Sequence, residues 1–175
     1  MSGADVAGYP RGVKLGVDVG MARVGVALCD PDGVLATPLK TLKRDPKKNS
    51  DVRVLARLVR EHAAVQVFVG LPRSLRGRET ASTRMAREYA DLLAGELSGQ
   101  SLAAPVHLVD ERLTTVSAHR ALHESGLDGR KHRQVVDQVA AADILQQALD
   151  MQKSLQRDVG DVVVHGAPTA STELD

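Results

Sequence analysis

The sequence has little of what several large classes of protein require. Only one of its 175 residues is a cysteine, Cys29, so it cannot build a framework of internal disulfides or a cysteine zinc site. Aromatic residues make up 2% of the chain, which argues against a binding surface of stacked rings. No apolar run approaches the ~18 residues of a membrane span, and residues 1–12 lack the apolar core of a signal peptide. We therefore expect a protein of the reducing cytoplasm with no membrane partner.

Charge is nearly balanced over the whole chain but not along it. The net charge is +1, so binding to a polyanion has to depend on local clusters. Basic residues are concentrated in three runs, at 40–48, 73–87 and 130–133. Each run alone is explained as solvated surface, whereas three runs in a near-neutral protein favour phosphate contacts.

Hydrophobic patterning predicts one α/β domain over residues 13–156, after a flexible N-terminus at 1–12. Strands are predicted at 14–20, 24–29, 34–42, 65–69 and 106–110. Helices are predicted from Asn49 or Ser50, over Thr80–Leu97, from Thr114 or Thr115 to about Gly126, and over Gln134–Leu155. A three-strand meander followed by helix–strand–helix–strand–helix indicates a mixed five-stranded sheet flanked by helices. The polar, acidic segment 157–175 is predicted to be a disordered tail.

Three acidic side chains occur where chemistry is expected. Asp18 lies near the end of the first strand between Gly16 and Gly20, and an ionised carboxylate there is costly unless a positive group compensates it. The flanking glycines leave room for an ion or a phosphate. Glu111 follows a buried strand together with Asp110. The alternatives are that Asp18 caps a turn and that Glu111 belongs to a surface ion pair.

The third carboxylate, Asp137, is selected by helix geometry. At about 100° per residue it begins a core-facing stripe that continues through Ala141, Ile144, Ala148, Met151 and Leu155. By the same arithmetic Asp143 and Asp150 are predicted to face solvent. A first-turn aspartate favoured by the helix dipole is the alternative. Asp18, Glu111 and Asp137 come from two strand ends and one helix, and can converge. Carboxylates alone favour Mg²⁺ or Mn²⁺ over zinc, and two such ions can promote phosphodiester hydrolysis.

Four segments resemble the YqgF/RuvX family of bacterial RNase H-like proteins. They are GVDVGMARVGVALCDPDG (16–33), VGLPRSLRGRET (69–80), VDERLTT (109–115) and VDQVAAADIL (136–145). The resemblance covers about residues 13–149. It implies a three-layer RNase H-like fold and assigns the family's acidic triad, with catalytic and metal-binding roles, to Asp18, Glu111 and Asp137.

The function implied by the resemblance is metal-dependent endonuclease action in maturing the 5′ end of 16S rRNA. Resolution of four-way DNA junctions is the main rival. The scarcity of aromatic residues suits recognition of backbone shape rather than base stacking. Phosphate contacts are expected from basic side chains at Arg23, Arg73, Arg76, Arg78, Arg112, Lys131 and Arg133. For Arg23 the alternative is a simple ion pair with Asp18 or Asp110.

Two other functional classes and the oligomeric state remain open. An Asp-x-Gly followed by a hairpin also occurs in actin-like and sugar-kinase ATPases, but those need a second domain and this chain is too short for one. A catalytically idle RNA-binding ribosome-assembly factor is the other class, against which the intact triad argues. The sequence leaves a homodimer open, and Cys29 is expected to be a small buried residue.

Overall fold

The computed structural model describes residues 8–111 and 130–166. For residues 130–134 it describes the backbone but not the side chains. The described chain forms six strands: β1 (Lys14–Val19), β2 (Arg23–Cys29), β3 (Ala36–Lys43), β4 (Gln66–Leu71), β5 (Val106–Asp110) and β6 (Asp161–Val162). It also forms three helices: α1 (Ser50–Glu61), α2 (Ala81–Gly99) and α3 (Arg130–Leu155). None of these helices has the length and apolar character needed to cross a membrane.

The strands form one mixed sheet in the order β3-β2-β1-β4-β5-β6. Strands β1, β2 and β3 are an antiparallel meander, β4 and β5 continue it in parallel with β1, and β6 pairs antiparallel with β5. The predicted α/β class and mixed sheet are thus confirmed. The end at which β1, β4 and β5 finish is called the C-terminal end of the sheet below.

Side-chain alternation sorts the sheet into two faces with a helical layer on each. Leu15, Val17 and Val19 of β1 pack in one core with the buried residues of α1 and α2. The opposite face carries Phe68 of β4 and is covered by α3. Cys29 lies in this second core, as expected, and burial raises the pKa of its thiol.

Helix α3 lies unusually close to the sheet because glycines face it. A Cβ atom on Gly16 would stand 2.6 Å from the carbonyl oxygen of Ala141, and one on Gly25 would stand 2.0 Å from that of Asp137. Any larger residue at either position would push the helix outward. The two glycines therefore fix the height of α3, and with it the position of Asp137 above β2.

The two helices on the other face begin with different side-chain caps. Thr80 accepts a hydrogen bond from the Thr83 amide, and the Thr83 hydroxyl accepts one from the Thr80 amide, which is a capping box at the start of α2. Helix α1 begins at Ser50, within the predicted start, but Asn49 before it adopts a left-handed conformation and makes no side-chain cap bond. Asp45 instead accepts hydrogen bonds from the amide and hydroxyl of Ser50.

The predicted disordered tail begins too early. Residues 158–166 are folded in the structure: the Asp158 carboxylate accepts hydrogen bonds from Gln66 and Gln152, Val159 is buried, and β6 adds a short sixth strand to the five predicted. These partners are distant in sequence, so composition alone could not reveal the attachment. Residues 1–7 and 167–175, and the short helix predicted from Thr114 or Thr115, lie outside the described residues.

Candidate active site

The first candidate carboxylate, Asp18, lies near the C-terminal end of the sheet on the face covered by α3. It is 2% exposed. Gly16, two residues earlier on the same strand, faces α3, so alternation places Asp18 on that face. Its partner in β2 is Gly25. Helix α3 therefore covers Asp18, and the absence of a side chain on Gly25 leaves space beside it.

Glu111 reaches the same place from β5. It follows that strand directly, it is 6% exposed, and its Oε1 atom lies 2.6 Å from the position a Cβ atom would take on Gly70. Val17 pairs with Val69, so the next residues along β1 and β4, Asp18 and Gly70, are neighbours. Adjacent strands are about 4.8 Å apart, so the Glu111 carboxylate, which lies above Gly70, is next to Asp18 across the sheet.

Asp137 occupies the other side of Asp18. Its Cβ atom lies 3.1 Å from the Cβ position of Gly25, the residue paired with Asp18. The three candidate carboxylates therefore form a row across β2, β1 and β4. Asp137 lies above Gly25 in β2, Asp18 belongs to β1, and Glu111 lies above Gly70 in β4.

Arg23 faces this row and forms an ion pair with its helical member. The Arg23 Nε atom donates to Asp137 Oδ2 at 2.9 Å, and the two side chains are 31% and 20% exposed. The structure thus gives Arg23 an ion pair with Asp137, a partner that the sequence did not suggest. Because both groups remain accessible, an incoming phosphate can reach the guanidinium.

The donor set of the row fits a hard divalent cation. Its ligands are all carboxylate oxygens, which magnesium and manganese prefer. The Glu111 carboxylate has space above β4 only because Gly70 has no Cβ atom. As the side chains stand, no three His, Cys, Asp or Glu residues within 8–111 and 130–166 form a ready coordination shell. The ion pair of Arg23 with Asp137 competes with a cation for the same carboxylate.

The loop from β4 to α2 carries Arg73, Arg76 and Arg78 away from the same end of the sheet. Arg76 and Arg78 are exposed, whereas Arg73 is partly covered. The Arg73 Nε atom is buried and has no hydrogen-bond partner among the described residues. A buried donor without an acceptor is costly, so this guanidinium is suited to receive an anion.

The remaining predicted residues are less completely placed. Arg112 lies outside the described residues, and the structure gives only the helical backbone of α3 at Lys131 and Arg133. Asp150 is exposed as predicted. The prediction that Asp143 faces solvent is wrong, because its side chain is partly buried and its Oδ2 atom is shielded from water.

The buried face of α3 is wider than the predicted stripe, because the close approach at the glycines lets the sheet cover more of the helix. Leu155, at the end of the predicted stripe, is 46% exposed. The buried side chains are Ala140, Ala141, Ala142, Ile144, Leu145, Ala148, Leu149 and Gln152.

Sequence reasoning missed two contributors to the site. Gly70 supports the Glu111 carboxylate, and its signal was a glycine at the end of a fully apolar strand. Lys43 pairs with Arg23 across β2 and β3 and is exposed at the C-terminal end of the sheet. Its signal was the basic run at 40–48, from which no single residue was selected.

Comparison with known proteins defines first the class and then the family. The T. thermophilus RuvC in a complex with Holliday junction substrate matches with a TM-score of 0.52 at 13% identity, over 87% of this chain and 99% of that one. The molecule therefore has the RNase H-like fold of RuvC. The sequence profile of RuvX, described as Holliday junction resolvase, matches residues 12–151. The chain belongs to the RuvX family.

Curated relatives agree with this assignment. A protein of Frankia casuarinae is 51% identical over 141 residues, which is 81% of this chain and 68% of the relative. A protein of Mycolicibacterium smegmatis is 50% identical over 154 residues, 87% of each chain. Both carry the name pre-16S rRNA nuclease. The resemblance found in the sequence is confirmed, and the chain is a member of a nuclease family.

Proposed function

We propose that this chain is a metal-dependent endonuclease that hydrolyses phosphodiester bonds in the 5′-end maturation of pre-16S rRNA. The observation that carries the proposal is the row of Asp18, Glu111 and Asp137 on the α3 face, beside the basic β4–α2 loop. Carboxylates and arginines next to each other suit a reaction in which a cation and a phosphate meet.

In this proposal Asp18, Glu111 and Asp137 hold Mg²⁺ or Mn²⁺. When bound, a pair of such ions stabilises the attacking and the leaving oxygen of an in-line displacement. The protein's own contribution is to keep the carboxylates on rigid strand ends and a packed helix. Arg23 then exchanges its ion pair with Asp137 for a contact to the substrate phosphate.

The strand on both sides of the cleaved bond is held by the remaining basic residues. Arg73 offers a donor that already lacks a protein acceptor among the described residues, and Arg76 and Arg78 extend the same surface. We assign phosphate contacts on the other side to Arg112, Lys131 and Arg133. Such contacts position a substrate without reading its sequence.

The names of the curated relatives favour RNA as the substrate. With a bacterial rRNA precursor as substrate, the protein acts in the cytoplasm. The second candidate is cleavage of four-way DNA junctions. It is favoured by the description of the RuvX family as a Holliday junction resolvase. Carboxylate chemistry is the same in both cases, so the substrate has to be distinguished by assay.

The test is cleavage of an end-labelled pre-16S rRNA fragment and of a labelled four-way DNA junction in parallel, with Mg²⁺ and with EDTA. We expect Mg²⁺-dependent cleavage of the RNA at a defined position, and no product from Asp18→Asn. Preferential cleavage of the junction would identify a resolvase instead. Tight RNA binding without cleavage under any metal would identify an assembly factor and refute the nuclease.

A further inference from the structure

One large apolar side chain projects into solvent from the basic loop next to the carboxylates. Leu75 is 97% exposed and lies in the β4–α2 loop between Arg73 and Arg76. Single exposed apolar residues are common and need no explanation by themselves. Leu75 differs because of how it is held, what surrounds it and where the loop leaves the sheet.

The backbone at Leu75 is fixed in a hydrogen-bonded tip. The Gly77 amide donates to the Ser74 carbonyl at 2.8 Å, and the Ser74 amide donates to the Arg78 carbonyl at 3.1 Å. The Arg78 amide also donates to the Ser74 hydroxyl at 3.0 Å, and Gly77 has a φ of 79°, which glycine adopts without strain. Leu75 is therefore presented by an ordered turn, which lowers the entropic cost of inserting it into a partner.

Its neighbours show what kind of partner that is. Arg73, Arg76 and Arg78 all lie within three residues of Leu75 in the sequence, with Glu79 as the nearest acid, and the Arg73 Nε atom has no acceptor among the described residues. An exposed apolar side chain flanked by arginines along the loop fits a nucleic acid, whose bases are apolar on their faces and whose phosphates are anionic. Leucine is one of the side chains that nucleic-acid-binding proteins insert between base steps.

We propose that Leu75 is a wedge that separates two stacked bases beside the cleaved phosphodiester, with Arg73 and Arg76 on the flanking phosphates. This rests on the proposed nuclease function and narrows its substrate class. Separating bases is least costly where they are unpaired or already at a branch. The substrate is therefore nucleic acid that is single-stranded or branched at the cleaved step, rather than a continuous duplex.

The test uses 2-aminopurine, a base analogue whose fluorescence rises when it is unstacked. The cleaved position is first mapped with the wild-type protein, and the analogue is placed on either side of it. Binding is measured in EDTA so that the strand stays intact, once with the step unpaired and once with a complementary strand across it. The variants are Leu75→Ser, Leu75→Met and, as a matched control, Leu35→Ser.

Leu35 is a suitable control because it is also an exposed leucine, at 59%, and lies next to the β2–β3 turn at the opposite end of the sheet. We expect all three variants to melt like the wild type, because the substituted side chains are on the surface. Leu75→Ser should lose most of the fluorescence rise and about tenfold in affinity for the unpaired substrate. Leu75→Met, which keeps an apolar side chain of similar volume, should stay within about twofold of wild type.

Two results would overturn the wedge while leaving the nuclease intact. One is wild-type fluorescence, affinity and cleavage in Leu75→Ser, which would assign the exposed leucine to a protein contact. The other is equally fast cleavage of the continuous duplex and the unpaired substrate by the wild-type protein. A wild-type protein that cleaves none of the substrates would refute the proposed function itself, and the wedge with it.

Discussion

At the residue scale, the acids of the candidate site depend on glycines as much as on each other. Asp137 and Glu111 rest where Gly25 and Gly70 lack side chains, and Asp18 lies between those two positions in the sheet. A carboxylate row of this kind requires both the acids and the space above neighbouring strands. Predictions at this scale therefore concern both residue types.

Replacing a proposed ligand by its amide should remove activity and leave the fold. We expect Asp18→Asn and Asp137→Asn each to lower Mg²⁺-dependent cleavage by more than about a hundredfold, because even outer partners of metal ligands are worth about 10–100-fold. Cleavage rate and thermal melting are the measurements.

Asp150→Asn serves as the control on the same helix, because Asp150 is exposed. It should change stability by no more than roughly half a kcal/mol and leave cleavage unaffected. An active Asp137→Asn together with an inactive Asp150→Asn would contradict the assignment of the helical ligand.

A single methyl group should separate activity from stability at Gly70. In Gly70→Ala the new Cβ atom meets Glu111 Oε1 at 2.6 Å and Ile144 Cδ1 at 2.5 Å, both ends of side chains that can move. We expect cleavage to fall at least about tenfold because the carboxylate is displaced, with destabilisation of about 1–2 kcal/mol from overpacking.

The matched control is Gly99→Ala, where a Cβ atom meets nothing within 4 Å. It should cleave like the wild type. If Gly70→Ala kept full activity, the Glu111 carboxylate would not need the position that the structure gives it.

At the scale of single elements, helix α1 should be sensitive to pH through Asp45. The Ser50 hydroxyl and nearby amides donate hydrogen bonds to this carboxylate and lower its pKa from 3.8 to about 2. A lowered pKa means that the stabilisation is complete above pH 3.8 and is lost as the pH falls through about 2. We expect Asp45→Ala to lower the Tm at pH 7 by roughly 2–4 °C.

The deciding measurement is the difference in Tm between wild type and Asp45→Ala across pH. It should be constant from neutral pH to about pH 5 and shrink at more acidic pH. A difference that is the same at every pH would show that Asp45 does not act through its charge.

The segment after α3 is attached by a buried polar network. Asp158 accepts hydrogen bonds from Gln152 at 2.8 Å and Gln66 at 3.0 Å, and both glutamines are fully buried. Burial alone would raise the pKa of Asp158, but these hydrogen bonds outweigh it and the pKa is lowered.

Asp158→Ala leaves the two buried amides without this acceptor and should lower the free energy of unfolding by about 2 kcal/mol. Chemical denaturation measures it, with Asp161→Ala on the exposed β6 as control. Equal stability of both variants would indicate that the Asp158 carboxylate does not stabilise the attachment of residues 158–166.

At the scale of the whole molecule, the net charge is only +1, so binding to a polyanion has to depend on local clusters of basic residues. The proposed interface places Arg73, Arg76 and Arg78 at the C-terminal end of the sheet. Replacing all three by alanine should weaken nucleic-acid binding and reduce the slope of log affinity against log salt by up to about three units, because each arginine neutralises one phosphate.

A triple variant with the same change in charge tests whether position matters. Arg53, Arg57 and Arg60 are exposed on α1, on the other side of the sheet from α3. Replacing these three by alanine should leave the salt slope unchanged. Equal effects of the two triple variants would mean that binding responds to net charge and not to a defined surface.

The sequence by itself determined the elements and singled out the candidate acids. Dense β-branched runs predicted the five main strands within a few residues, and helical spacing predicted α1, α2 and most of α3, since both patterns depend only on neighbours in the chain. Asp18 and Glu111 were found because a carboxylate at the end of a buried strand is unusual. The four motifs taken together are specific enough to indicate the family, which the family match over residues 12–151 confirms.

Only the tertiary structure decided which side chains meet. Asp143 is partly buried because α3 rests on Gly16 and Gly25, an approach that helix arithmetic cannot include. Arg23 pairs with Asp137, and Asp158 with Gln66, across separations of 114 and 92 residues. Such contacts follow from strand register and from the height of a helix above its sheet. Those quantities arise when layers pack together, and no local pattern in the chain contains them.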